Sequence, residues 1–279
     1  MSLIKFLLAP TKALNLYMVK KITFYLKFLF QGTNKYNIHS PLVYDMIENI
    51  LDNSIKYYSF VGIEHVRSLL LKQTDPIELK DLGVGSKSVK STTSTINILT
   101  KKVQSRPEKA QILFRMVSFF QKKNILEIGT SLGLTTAYLS TANKRGKVTT
   151  IEGDPKVSDL AQKNFNTLKL KNVALINQPF DQIIPQLLKN KYDLIFFDGN
   201  HSKEATLRYF YWLVEYANED SIFIFDDIYW SSDMKQAWEE ICNFDKVMLS
   251  LDLFSLGIVF FKKNREKERI KLVHRSNFY

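Results

Sequence analysis

Asn124-Ile125-Leu126-Glu127-Ile128-Gly129-Thr130-Ser131-Leu132-Gly133 is the stretch that decides the fold. A short apolar run ends on Glu127-Ile128, breaks into a glycine-rich turn, and leads into a run from Thr135 to Ala142 that reads as a helix. Strand, glycine turn and helix in that order form the arrangement in which a nucleotide sits at a helix N-terminus beneath backbone N–H groups. The spacing is Gly-x-x-x-Gly. Ser131 stands where the dinucleotide fingerprint Gly-x-Gly-x-x-Gly has its second glycine, the one that lets a pyrophosphate approach the backbone. That argues against NAD and against an oxidoreductase. An acidic residue before the first glycine suits a cationic ligand. A second candidate turn, Asp81-Leu82-Gly83-Val84-Gly85-Ser86, is followed by a polar tract with no helical pattern, so its context does not support it.

Outward from this turn the pattern is regular. Helical periodicity covers 108–120, 135–142, 155–168, 182–188, 203–217 and 233–242. Strand-like runs cover 124–128, 147–152, 173–177, 192–198, 221–227, 247–253 and 257–261. Alternating strands and helices predict an α/β fold, a doubly wound, mostly parallel sheet of seven strands covered on both faces. The last two strands are joined too closely for a crossover, so one antiparallel strand is required. The chain divides into residues 1–106, a helical and loop-rich extension and cap; residues 107–263, the regular domain; and residues 264–279, a basic tail expected to be solvated.

These residues resemble the class I S-adenosylmethionine-dependent methyltransferases, a Rossmann-like family, and especially the catechol and caffeoyl-CoA O-methyltransferase group. That group has an acidic-x-Gly-x-x-x-Gly turn after its first strand. The resemblance implies a donor site formed by Glu127, Gly129, Thr130, Ser131, Gly133, Thr135, Glu152 and Asp198. Glu127 accepts from the ammonium group of S-adenosylmethionine, Thr135 contacts its carboxylate, and Glu152 binds both ribose hydroxyls. A carboxylate at that last position has a physical reason, because two vicinal hydroxyls offer two donors to its oxygens. One departure is Asn177-Gln178-Pro179-Phe180, where the family often has Gly-Asp before the adenine contact; Phe180 is placed to stack on the adenine.

Asp198-Gly199-Asn200-His201 and Asp226-Asp227 form the next group. They end neighbouring strands, which lie roughly 5 Å apart in a parallel sheet. Three carboxylates there repel unless a proton or cation neutralises them, and a hard ion with oxygen ligands, such as Mg2+, is suited to that. This set resembles the metal-dependent macrocin-type O-methyltransferases of sugar hydroxyls. The resemblance implies that Asp198, Asp226 and Asp227 hold the metal, with His201 as general base and Asp198 as a second catalytic group. The other reading is that these strand-end acids cap helices or line a pocket without metal. Ser202 is placed to cap the following helix. His65 and His274 have no supporting context and are expected at the surface.

The net charge of +11 lies entirely in the first part of the chain: residues 1–124 hold 19 Lys/Arg against 8 Asp/Glu, and residues 125–279 hold 20 of each. Such a basic segment meets a membrane surface, an anionic substrate or an acidic protein. No nucleic-acid motif accompanies it. Lysines interrupt every apolar run before it reaches the roughly 20 residues of a membrane span. The segment from Thr11 to Phe30 instead reads as an amphipathic helix with Leu14, Met18, Ile22, Tyr25 and Leu29 on one stripe. Either it packs on its own domain or on a second subunit of a homodimer, or it lies on an anionic membrane. Ser40-Pro41 opens a further helix through Leu51, with His39 just before it. The single cysteine, Cys242, excludes a disulfide framework and suits a cytoplasmic location. The resulting expectation is O-methylation of a small-molecule hydroxyl. Two alternatives remain: a membrane-associated methyltransferase acting on a lipid or quinone, and a non-catalytic interaction protein of the same fold.

Overall fold

The computed structural model describes residues 11–81, 90–103, 105–262 and 266–278. They form two compact units, one made of residues before 53 together with residues after 187, the other of residues 53–187. Among the described residues no helix is long and apolar enough to cross a membrane.

The first unit opens with α1 (Thr11–Gln31), as the periodicity predicts. Its buried face differs from the expected stripe. Phe28 is buried and Phe24 and Tyr25 are half-buried. Their rings pack on Tyr229 and Phe254 at centroid distances of 5.9 Å (Phe24–Tyr229), 4.9 Å (Tyr25–Phe254), 6.1 Å (Phe28–Tyr229) and 5.5 Å (Phe28–Phe254). Ile22 and Leu29, two members of the expected stripe, are exposed, while the side chains of Leu14 and Met18 lie outside the described residues. Aromatic rings bury more area than aliphatic side chains and gain from edge-on contact, so they set the seat of this helix. Then α2 (Pro41–Met46) starts on the expected proline and continues through a π turn (Ile47–Leu51). Ser40 precedes it, but its side chain makes no capping bond.

The second unit begins with α3 (Tyr58–Leu70), which buries Phe60, Ile63, Val66 and Leu70. The segment expected to be loop-rich instead contains an antiparallel hairpin, β1 (Pro76–Asp81) with β2 (Lys90–Thr95), followed by α4 (Ile96–Val103). Ile77 and Leu79 alternate inward on β1. The Lys-Ser-Thr-Thr-Ser-Thr run of β2 carries β-branched threonines that suit a pleat but give no apolar signal. The rejected turn Asp81–Ser86 lies almost wholly outside the described residues. Next come α5 (Pro107–Phe119), β3 (Asn124–Ile128), α6 (Leu134–Ala142), β4 (Lys147–Glu152), α7 (Pro155–Thr167), β5 (Val173–Asn177) and α8 (Phe180–Leu187). Strands β3, β4 and β5 are parallel, with Glu127 opposite Thr150 and Glu152 opposite Asn177. The acidic residues thus emerge at the same end of this unit's strands.

The first unit resumes with β6 (Leu194–Phe197), α9 (Lys203–Val214), β7 (Ile222–Asp226), α10 (Ser232–Asn243), β8 (Leu249–Asp252), β9 (Leu256–Phe260) and β10 (Glu268–Lys271). Their order across the sheet is β10-β8-β9-β7-β6. Every residue of β6 and β7 is buried, as expected of parallel strands covered on both faces. The required antiparallel strand is β9, which opposes both of its neighbours. Among the described residues both units are therefore α/β with mostly parallel main-sheet strands, three in one unit and five in the other, eight rather than seven.

The additional strand corrects the expectation of a solvated tail. Pairing parallel to β8, β10 forms an edge, and its charged Glu-Arg-Ile-Lys sequence is what an edge tolerates and what hides it from an apolar count. Beyond it Leu272 is fully buried. His274, expected at the surface, has a largely buried side chain whose Nε2 lies 3.0 Å from Asp52 Oδ1; His65 is exposed as expected. Asn277 donates through Nδ2 to the carbonyls of Leu253 (2.9 Å) and Leu272 (3.0 Å) and accepts from the His274 amide (2.6 Å). Asn277→Ala removes all three bonds from a buried position and should lower unfolding stability by roughly 2–4 kcal/mol. Urea titration checks this, and a change within about 0.5 kcal/mol, the range of an ordinary surface substitution, would mean the tail is not integral to the fold.

Candidate active site

In the second unit the turn after β3 is held by its own backbone. The amides of Gly129 and Thr130 both donate to the Ile151 carbonyl, at 3.1 and 3.0 Å, and the amide of Gly133 donates to Thr130 (2.9 Å). The Ser131 amide donates to Glu152 Oε2 at 2.8 Å. These N–H groups therefore shape the turn. Gly129, Ser131 and Gly133 all take positive φ. At Gly133 a Cβ would lie 2.4 Å from the Phe165 ring, so glycine is required there for conformation and for space. Asn164, on α7, braces the turn by donating to the Leu132 carbonyl at 2.8 Å.

Glu127 is completely buried. Its Oε2 accepts from the Thr136 hydroxyl and from the Thr150 hydroxyl (2.6 Å), and Thr150 in turn contacts Thr130 Oγ1 at 2.6 Å. Its Oε1 is buried with no hydrogen-bond partner. Burial, with a smaller contribution from the charge of Glu152, pushes the carboxyl up to about 7 against the two hydroxyl donors. Glu152 keeps an exposed edge, yet the atoms around its carboxyl enclose it enough to push it up to about 7 as well. Its two oxygens each accept one amide, Oε2 from Ser131 and Oε1 from Asp154 (3.0 Å), which fixes the carboxylate and leaves lone pairs for further donors. Thr135 is buried in the first turn of α6, and Phe180 is half-buried at the start of α8. The sequence reading missed Thr136, Thr150 and Asn164. Thr136 could have been found, since it stands next to Thr135 on a helix opening beside the acid.

In the first unit β6 delivers Asp198 and β7 delivers Asp226, one strand apart and in parallel register. His201 Nε2 lies 3.7 Å from Asp198 Oδ1, and both side chains are partly exposed. Asn200 takes a positive φ, and Ser202 caps α9 by accepting from the Ala205 amide at 3.3 Å, as expected. The imidazole is thereby left to lie against Trp230, with ring centroids 6.0 Å apart. Trp230 was not anticipated; it is fixed by its amide, which donates to the Asp227 carbonyl at 2.7 Å.

The expected metal group is not formed. Among the described residues no three His, Cys, Asp or Glu side chains come together as a set able to hold a metal ion. Asp226 is buried and its Oδ1 accepts from the Asp227 amide at 2.9 Å. Asp227 adopts a left-handed backbone, with φ of 50°. Asp226 and Asp227 thus take part in the turn after β7.

Residues 126–228 match the family model of a methyltransferase domain. The chain is similar to a catechol O-methyltransferase of Niastella koreensis, 31% identical over 127 residues, covering 44% of this chain and 57% of that protein. It is also similar to a catechol O-methyltransferase of Mycobacterium tuberculosis, 27% identical over 123 residues, covering 43% and 55%. The chain thus spans little more than half the length of the curated relatives it matches. Among solved structures, the S-adenosylhomocysteine-bound methyltransferase of Podospora anserina aligns with a TM-score of 0.58 at 14% identity, over 81% of this chain and 98% of that one. The expected Rossmann-like methyltransferase fold is the observed one.

The raised acids give a testable pH dependence for the ligand-free protein. An unfolded Glu titrates near 4.3, whereas folded Glu127 titrates at about 7. A raised folded value contributes stability that is complete below the unfolded value and is lost as pH rises through the folded one. Stability should therefore decline between about pH 4.5 and 7.5, and Glu127→Gln, which copies the protonated form, should flatten part of that decline. Urea unfolding across the pH range measures it; an identical decline in the variant would refute the perturbed carboxyl.

Proposed function

We propose that this protein is an S-adenosylmethionine-dependent O-methyltransferase acting on a small-molecule hydroxyl. The observation that carries the reading is the unpartnered, buried Oε1 of Glu127 beside a glycine turn. An enclosed carboxylate oxygen without a donor fits a ligand that brings an ammonium group. The 31% identity to a catechol O-methyltransferase, over a stretch of 127 residues, supports the same reading. Catechol, named for both curated relatives, is the first acceptor to offer.

In this reading Glu127 takes the donor's ammonium group, Thr135 its carboxylate and Glu152 its ribose hydroxyls. Gly129, Thr130, Ser131 and Gly133 let it approach the backbone, and Phe180 covers the adenine. Bound S-adenosylmethionine supplies a methyl group already activated as a sulfonium. The protein's remaining task is to orient a hydroxyl and remove its proton. His201 receives that proton on its ring, and Asp198, 3.7 Å from Nε2, offsets the imidazolium charge that forms. Trp230 lies against the imidazole and limits its orientation. The role of His201 as base is separate from the question of whether Asp198, Asp226 and Asp227 hold a metal ion. A reducing cytoplasm suits the lone, buried thiol of Cys242.

His201→Ala should lower kcat by about 10²- to 10⁴-fold while calorimetric affinity for S-adenosylmethionine stays within about twofold, the donor contacts being untouched. A variant with full turnover removes His201 as the base. Turnover measured before and after EDTA decides the metal reading: loss on chelation with recovery on adding Mg2+ supports it, and unchanged turnover removes it.

A further inference from the structure

Once α1 is seated by Phe24, Tyr25 and Phe28, it retains a second apolar face. Ile22, Leu26, Leu29 and Phe30 recur at helical spacing on another side and are 57%, 50%, 37% and 90% exposed. A phenylalanine at 90% exposure with three aliphatic neighbours on one helix face is a contiguous patch rather than the scattered exposure common on surfaces. Lys27 is exposed beside it. The charge is one-sided to an unusual degree: residues 1–44 contain six lysines and not a single Asp or Glu. An apolar helix face flanked by an exposed lysine, on a segment whose sequence has lysines and no acid, is the chemistry of a helix lying in the plane of an anionic lipid surface. A face meant for a second copy of this chain would bring the same positive charge against itself, which opposes association.

We propose that α1 docks the protein on an anionic membrane surface, with Ile22, Leu26, Leu29 and Phe30 entering the headgroup boundary and Lys27 meeting the lipid phosphates. The inner face stays on Tyr229 and Phe254, so docking requires no unfolding of α1 from its own unit. The proposal is independent of methyl transfer, because it rests on residues outside the catalytic and donor groups.

The test is co-sedimentation of the full chain with vesicles of phosphatidylcholine alone and of phosphatidylcholine with phosphatidylglycerol. Binding is expected on the anionic vesicles, with at least tenfold weaker binding on the neutral ones and release at high salt. Leu26→Ser with Phe30→Ser should reduce partitioning about 100-fold or more. Both side chains are at least half exposed, so the melting temperature of the double variant should match that of the parent. Failure of the parent to bind anionic vesicles, or binding that the double variant leaves unchanged, overturns the proposal. So does a parent that is dimeric in solution while the double variant is monomeric, since the face would then belong to a second copy. Catalytic activity enters none of these readouts, and His201→Ala protein should sediment like the parent.

Discussion

One carboxylate constrains the second unit. Glu127 lies at the end of a fully buried strand segment, with one oxygen supplied by two threonine hydroxyls and the other by nothing. Two hydroxyls are too few donors to stabilise a fully charged acid away from water, so its carboxyl settles at about 7 instead of the usual carboxylate range. The surroundings hold the acid in place. Thr150 comes from the neighbouring strand in register, Thr136 from the helix after the turn, and the turn is pinned by Ile151, Glu152 and Asn164. A group this unfavourable in isolation persists because the elements around it leave it no alternative position. A preorganised acceptor of that kind suits a cation, since the fold has already met the cost of arranging it.

The parts legible in the sequence were those whose signal is local. Continuous apolar runs ending on acids gave the strands of both units and placed Glu127, Glu152, Asp198 and Asp226 at strand ends. The Gly-x-x-x-Gly spacing gave the turn. The hairpin at 76–95 and the edge strand at 268–271 were missed because threonine-rich and charged strands satisfy the backbone without an apolar stripe. Thr136, Thr150 and Asn164 were missed for a different reason. A hydroxyl or amide side chain acquires its role from whatever lies opposite in the fold, and periodicity says nothing about that.

For the acids after β6 and β7, proximity is legible in the sequence but the duty of each oxygen is not. Adjacent strand ends do bring Asp198 and Asp226 near one another. Counting carboxylates ignores what each oxygen is already doing, however, and Asp226 spends one on the amide of the next residue. Strand-end acids face the exposed amides of the turn that follows, and a turn with a left-handed residue such as Asp227 offers one at short range. His201 escapes this because Ser202 takes the capping role on α9, which frees the imidazole from backbone duty.

The segment from Asp226 to Trp230 connects two features that the sequence presented as unrelated. Its Tyr229 ring receives Phe24 and Phe28 of α1, while its hydroxyl donates to Asp252 at 2.8 Å. Asp252, enclosed enough that its carboxyl rises to about 6, is fixed again by the Phe254 amide, and Phe254 stacks on Tyr229 with centroids 4.7 Å apart. The next residue, Trp230, is the one that lies against His201. The seat of the N-terminal helix and the flank of the histidine are therefore adjacent residues of one short, hydrogen-bonded turn. Seating α1 through Phe24 and Phe28 thus also braces the turn that carries Trp230, the residue beside the proposed base.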